Sequence, residues 1–375
     1  MSFAGATPAG SPAAEMPPNP ADLATQTDPT LKGSCPQKPA ATGKLALTGL
    51  PGWLTEAFLE TLEREPLPEV GAVRGLVHAG LLSHVTVAPR YPVVSEWFPY
   101  DLTDARTFRD AFDSCGALVH AAGVIHVRRP REWFDVNTAG TIALANAAKA
   151  AGVRRFVFLS SNAVGGASAS PDVVFTEAMP PKPLSLYGLS KWRAEQALLE
   201  LHEPGVFEVV ILRPSMFYGP PVPQRHVDIY RRVLAGTMPL VGDGQFRRSV
   251  TYIDNLVQAV RLALVRPQAA GQTYYIVDDE IYTTRSIVEA MAEALAVTPR
   301  FLRLPRLVGP VAYRFDQLAN AAGWYSAPLH LVGEAHWHVA ISAAKASREL
   351  GYRPLVGLRE GMRRAVRWCR ERGFL

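Results

Sequence analysis

Cysteine is scarce in this sequence, and that scarcity excludes several designs at once. Cys35, Cys115 and Cys369 are the only three in 375 residues. They form no Cys-x-x-Cys pair, and no histidine cluster stands near them at ligand spacing. Neither a disulfide scaffold nor a metal site is therefore expected, and a reducing, cytoplasmic location is. Long apolar runs are missing as well. No stretch approaches the ~18 residues of a membrane span, and the first residues lack the basic start and apolar core of a signal peptide. A strong charge imbalance is also absent, the net charge being +5. The densest arginine group, Arg359, Arg363, Arg364, Arg367, Arg370 and Arg372, alternates with Leu358, Met362, Val366 and Cys369 at helical spacing. That is the pattern of a solvated helix face, not of a nucleic-acid surface. The expected partner is a small molecule, with no nucleic acid and no integral membrane segment; a homodimer stays open.

Large apolar residues are nearly lacking from residues 1 to about 43, where eight prolines interrupt any helix or strand. This stretch reads as a disordered tail. The rest of the chain, 48% hydrophobic overall, is long enough to bury a large core.

Order begins at Leu45-Ala46-Leu47-Thr48, a short apolar run stopped by Gly49-Leu50-Pro51-Gly52 and followed from Trp53 by apolar residues at helical intervals. Strand, glycine turn and helix in that order let backbone N–H groups face a pyrophosphate. Gly49, Leu50, Gly52, Trp53 and Leu54 are the candidate contacts, although Thr55 stands where a third small residue belongs. Strand signals follow at Ala72–His78, Trp97–Asp101, Ala117–Ala122, Arg155–Ser160 and Val209–Leu212, with helices expected at 103–112, 131–151 and after Tyr187. Continuous apolar strands separated by helices specify a parallel sheet covered on both faces. The fold class is α/β, a doubly wound parallel sheet over residues 44–215, with a smaller substrate-binding region over 216–375 whose later segments return to the sheet. Ligands in such folds lie outside the carboxyl ends of the strands.

One short stretch near that edge carries chemistry. Tyr187 and Lys191 are four residues apart at the start of a helix, so both side chains share a face. A cation near a phenol favours its ionised form, which suits Tyr187 to proton exchange, although the same spacing also occurs as a plain surface pair.

These features together resemble the extended short-chain dehydrogenase/reductase family, over about residues 44 to 372. The matching residues are Thr48-Gly49-x-x-Gly52, Asp101-Leu102, His120-Ala121-Ala122-Gly123, Asn137, Ser160-Ser161, Tyr187-x-x-x-Lys191 and Arg213-Pro214-x-x-x-Tyr218-Gly219-Pro220. The resemblance implies a Rossmann fold that binds NAD or NADP through Gly49, Leu50, Gly52, Trp53, Leu54, His78, Asp101, Leu102, Ala121, Ala122, Gly123, Ser160, Tyr187, Lys191 and Pro214. It implies a catalytic trio as well. Ser161 would bind the substrate oxygen, Tyr187 would exchange its proton, and Lys191 would hold the nicotinamide ribose while lowering the tyrosine pKa. Met216, Arg248 and Ser161 would line the substrate. Ser160 has a backbone-positioning alternative, and Asn137 a capping or packing one inside its helix.

Ser160 to Gly166, Thr251 to Leu256 and Ser347 to Pro354 resemble the 3β-hydroxysteroid dehydrogenase and dihydroflavonol reductase branch. Ser249 stands where epimerases carry an acid. An alcohol/ketone oxidoreductase is thus expected, with a nucleotide-sugar epimerase or dehydratase and a non-catalytic scaffold as the alternatives. The second strand ends Val77-His78-Ala79-Gly80 without an acid, which predicts weak discrimination between NAD and NADP. The apolar, arginine-dotted stretch Leu302–Leu318 reads either as a core-facing lid helix or as a membrane-surface segment.

Overall fold

The structure, a computed structural model, describes residues 43–83 and 91–375. Apart from Gly43, the expected tail lies outside them. Apolar runs become the strands β1 (Lys44–Leu50), β2 (Ala72–His78), β3 (Val94–Tyr100), β4 (Cys115–His120), β5 (Arg155–Leu159) and β6 (Glu208–Pro214). Shorter strands follow: β7 (Met216–Tyr218), β8 (Met238–Val241), β9 (Arg247–Arg248), β10 (Val250–Tyr252), β11 (Thr273–Ile276), β12 (Tyr282–Thr283) and β13 (Phe301–Leu304). Seven of them form one sheet in the order β3-β2-β1-β4-β5-β6-β11, and every pairing in it is parallel. The order reverses at β1, so β1 and β4 diverge there and leave a crevice at their carboxyl ends.

Helices cover both faces because side chains alternate along each strand. Leu45, Leu47 and Val119 face one apolar core, while Ala46, Leu118 and Phe156 face the other. Each such fully buried Leu or Phe contributes about 1.5–3 kcal/mol. The second half is not a separate layer. β11 extends the main sheet beside β6, and helix Ile253–Val265 packs against helix Trp53–Arg64. The last helix, Leu358–Glu371, buries Leu358, Met362, Val366 and Cys369 and turns its arginines to solvent.

Three expected elements differ. Residues 103–112 form only a 3-10 turn, Ala105–Phe108, capped by Asp104. Phe108 and Phe112 are buried as a helix would bury them, but Asp110 and Ser114 adopt φ of 63° and 60°, which an α-helix cannot continue through. The helix expected over 131–151 begins as a π-helical segment, Trp133–Gly140, before α-helix Thr141–Ala150. Gly140 is required there, since a Cβ would come within 2.5 Å of the Leu102 carbonyl oxygen. Leu302–Leu318 is part strand, β13, and part helix, Val308–Ala321. No helix among the described residues is long and apolar enough to cross a membrane.

Candidate active site

The turn after β1 is built around two glycines. Gly49 has φ +96°, and a Cβ on it would meet the Ala121 carbonyl carbon at 2.8 Å; one on Gly52 would lie 2.3 Å from the Gly49 carbonyl oxygen. Thr55, the departure from the expected third small residue, is buried, and its hydroxyl donates to the carbonyls of Gly49 (3.0 Å) and Gly52 (2.9 Å). It braces the turn instead of crowding it. Helix Trp53–Arg64 starts there with no side-chain cap, leaving N-terminal donors for an anion. Leu50 and Leu54 bury their side chains in the core, so they reach this cradle through backbone alone. Trp53 donates from its indole to the Gly219 carbonyl at 3.1 Å and packs against Phe217 and His226, joining the turn to β7 and the segment after it.

At the adenosine end of the crevice, the carboxylate of Asp101 accepts from the Thr103 backbone (2.8 Å) and hydroxyl (2.7 Å). These bonds hold its pKa below the ordinary carboxylate range. β2 ends at His78 without an acid of its own; the acid beside that end is Asp101, from the end of β3, whose Oδ2 is 3.7 Å from His78 Nε2. Leu102 is buried behind it.

β4 ends in His120, whose buried ring is fixed between Thr48 (2.7 Å) and Thr141 (3.0 Å). Burial pushes its pKa down to about 3, so it is a neutral structural residue. Ala121, Ala122 and Gly123 follow. A Cβ on Gly123 would lie 2.8 Å from Asn137 Oδ1 and 3.2 Å from Lys191 Nζ. Asn137, fully buried, accepts from the Val124 N–H (2.8 Å) and donates to the Val124 carbonyl (2.9 Å). It therefore clamps the loop beside Lys191 and does not cap a helix.

Helix Leu186–Leu201 presents Tyr187 and Lys191 to the same edge, its first turn capped by Ser185, which accepts from Gly188. Lys191 is buried, donates to the Leu159 carbonyl at 3.0 Å and lies 4.7 Å from the centre of the Phe158 ring. Burial lowers its pKa to about 8 against the raising effect of Glu195. Glu195 is itself buried in an ion pair with Arg213, at 2.5 Å and 2.9 Å, which ties the helix to the end of β6. Pro214 closes that strand.

Tyr187 is raised by burial, with a hydrogen bond to Ser161 acting the other way. The expected lowering by Lys191 is not what governs the phenol in this structure; desolvation is the larger effect. Ser161 also accepts from the Ala163 N–H at 3.2 Å, which fixes its position. Ser160 is buried, and its hydroxyl has no hydrogen-bond partner among the described residues. A buried hydroxyl left in that state asks for a ligand group.

The two candidate substrate residues of the second half diverge. Met216 is 53% exposed on β7. Arg248 spends both terminal guanidinium nitrogens on backbone carbonyls, of Trp337 (2.6 Å) and Glu334 (2.9 Å). These bonds fasten the 334–337 segment to β9 and take two of the five guanidinium N–H donors. Four residues escaped notice in the sequence. His126, three positions past Gly123, lies 3.1 Å from the Tyr325 hydroxyl. Tyr313 and Gln317 both donate to the Leu184 carbonyl (3.3 Å each), three residues before Tyr187. His126 carried a signal in its place after the Ala-Ala-Gly loop; the other contacts span well over a hundred residues and carried none.

The nicotinamide cofactor fits these residues. The glycine cradle, the open helix start, Asp101, the unpartnered Ser160 hydroxyl and the Gly123–Lys191 gap follow one another along a single edge.

The family described as NAD dependent epimerase/dehydratase matches residues 45–277. Over 348 residues the chain is 36% identical to protein y4nL of Sinorhizobium fredii, covering 87% of this chain and 95% of that one. Over 277 residues it is 30% identical to UDP-glucose 4-epimerase of Vibrio cholerae, covering 71% and 80%. Among solved structures, the dTDP-glucose 4,6-dehydratase of Streptomyces venezuelae with NAD and TYD bound is similar at a TM-score of 0.68 and 25% identity, covering 88% and 98%.

Proposed function

Because this chain belongs to the NAD dependent epimerase/dehydratase family, we propose that it is an NAD(P)-dependent enzyme interconverting a secondary alcohol and a ketone, with Ser161, Tyr187 and Lys191 as its catalytic residues. One observation carries the reading: helix Leu186–Leu201 sets Tyr187 one turn from the buried Lys191, with Ser161 close enough to act on the phenol's pKa, at the carboxyl edge of the sheet. Residues 49–54, Asp101, Leu102, Ala121 to Gly123, Ser160, Lys191 and Pro214 would hold the cofactor, with His78 beside Asp101. When bound, it supplies or accepts a hydride.

The chain's own groups manage the oxygen and its proton. Ser161 is held by Ala163 so that its hydroxyl can bond the substrate oxygen, and the Tyr187 phenol passes the proton to or from that oxygen. Lys191, an ammonium below pH about 8, supplies positive charge beside them. Met216 lines the entrance.

The nucleotide-sugar alternative draws on the 30% identity to UDP-glucose 4-epimerase. Against it, Arg248 is engaged by the 334 and 337 carbonyls, and Ser249 is buried and bonded to backbone. An apolar or mixed substrate is favoured. The test is a screen of alcohols, sterols and sugar nucleotides, followed by cofactor absorbance together with product analysis. Tyr187→Phe should lower turnover about 100- to 10,000-fold with cofactor affinity unchanged. Retention of most activity would remove Tyr187 from its role, and epimerisation of a sugar nucleotide without net reduction would replace this reading with the alternative.

A further inference from the structure

The lid over the site has two unlike faces. Helix Val308–Ala321 and helix Ala327–Glu334 pack together, and their inner side is turned to the rest of the protein. Ala312 and Asp316 are buried, Asp316 holds His330 at 2.8 Å, and Tyr313 and Gln317 bond the Leu184 carbonyl. The outer side is apolar. Leu307, Val311, Phe315 and Leu318 recur at i, i+4, i+8 and i+11, and are 75%, 51%, 60% and 67% exposed; Trp324 and Leu331, nearby in the chain, are 63% and 62% exposed. Side chains at that spacing share one helix face, and an exposed apolar stripe of this kind marks an interaction surface.

We propose that this outer face lies on an anionic lipid bilayer, placing the entrance of the active site at the membrane surface. Charge selects the occupant. Arg303, Arg306 and Arg314 are exposed around the stripe, and the one acid between residues 302 and 333 is Asp316, buried and paired inward. The acid that does approach is Asp243, paired with Arg306 at 2.8 Å, which leaves Arg303 and Arg314 as the arginines offered to lipid phosphate. A second copy docking by a two-fold axis would instead bring the same arginines together. The helix is 14 residues long, too short to span the ~30 Å apolar core, so it lies in the plane of the interface. Trp324 has the amphipathic ring that interfacial residues share.

Co-sedimentation of the purified full chain with vesicles tests this, using phosphatidylcholine with and without phosphatidylglycerol, at low and high salt. The expected result is binding to the phosphatidylglycerol vesicles alone, weakened by salt. Phe315→Ser with Leu318→Ser should reduce partitioning at least about tenfold. Arg303→Glu with Arg314→Glu should reduce it by a similar factor, each arginine being worth about fivefold. The second pair decides the matter if the first lowers the melting temperature. No binding to anionic vesicles overturns the proposal. So does binding that neither pair weakens, which would assign it to another basic surface, and so does a lipid-independent dimer abolished by Phe315→Ser with Leu318→Ser.

Discussion

Replacing Glu195 by leucine isolates what holds the catalytic helix in place. Glu195 and Arg213 are 2% and 6% exposed, and their bonds at 2.5 Å and 2.9 Å join helix Leu186–Leu201 to β6. With the carboxylate gone, the guanidinium keeps only the Tyr275 hydroxyl at 3.5 Å and the face of its ring. Removing one partner of a buried pair costs about 3–5 kcal/mol, because the other charge is left without compensation. For a domain of this size the melting temperature should fall by about 4–7 °C. Arg213→Met should cost a similar amount. The double variant, Glu195→Leu with Arg213→Met, should recover most of the loss, since no charge then remains buried. Thermal unfolding of the four proteins by circular dichroism at one pH reads this directly. Single-variant losses below about 1 kcal/mol, the value of an exposed pair, or a double variant equal to the sum of the singles, would refute the argument.

The amine of Lys191 is depressed to about 8, so its ammonium is present below that pH and lost above it; turnover should fall as pH rises through this value. Glu195→Leu removes the carboxylate that raises Lys191, and a pH–rate profile should show that limb moving to lower pH. Asp101 is the acid beside the end of β2; if it meets the cofactor ribose as proposed, NAD should be preferred over NADP. Asp101→Asn should narrow that preference about tenfold, measured as the ratio of kcat/KM for the two cofactors; an unchanged ratio would separate Asp101 from the ribose. Tyr325→Phe deletes the hydroxyl that meets His126 across 199 residues and should raise KM more than it lowers kcat in steady-state assays, because it loosens the lid and leaves the acid/base groups alone.

What the sequence reveals here is what repeats or sits close together. Leu45-Ala46-Leu47, Phe156-Val157-Phe158 and Val209-Val210-Ile211-Leu212 read as buried parallel strands because both faces need apolar residues. Gly49, Gly52, Tyr187 and Lys191 read as a site because a turn and one helical turn fix their spacing. The 103–112 segment misled for the same local reason. Phe108 and Phe112 keep helical spacing, and nothing nearby announces that Asp110 and Ser114 take positive φ. Arg248 misled differently. A free arginine and one engaged by carbonyls 86 and 89 residues away are identical in sequence, and only the crossing of β9 beneath the lid distinguishes them. His78 and Asp101 belong to separate strands, and their 3.7 Å approach follows from β2 lying beside β3.

The electrostatics of Tyr187 take this one step further. Spacing alone says that a lysine one turn away should ionise the phenol. Burial acts on both groups in opposite senses, raising the phenol and lowering the amine to about 8, and both shifts keep a proton on Tyr187 and weaken the charge that would remove it. A phenol that stays protonated is ready to donate to a developing alkoxide, whereas accepting a proton from an alcohol first requires the phenolate. If Tyr187 exchanges the proton as proposed, ketone reduction should be the favoured direction near neutral pH. Oxidation of the alcohol should gain relative to reduction as pH rises, until Lys191 loses its own proton and both directions decline.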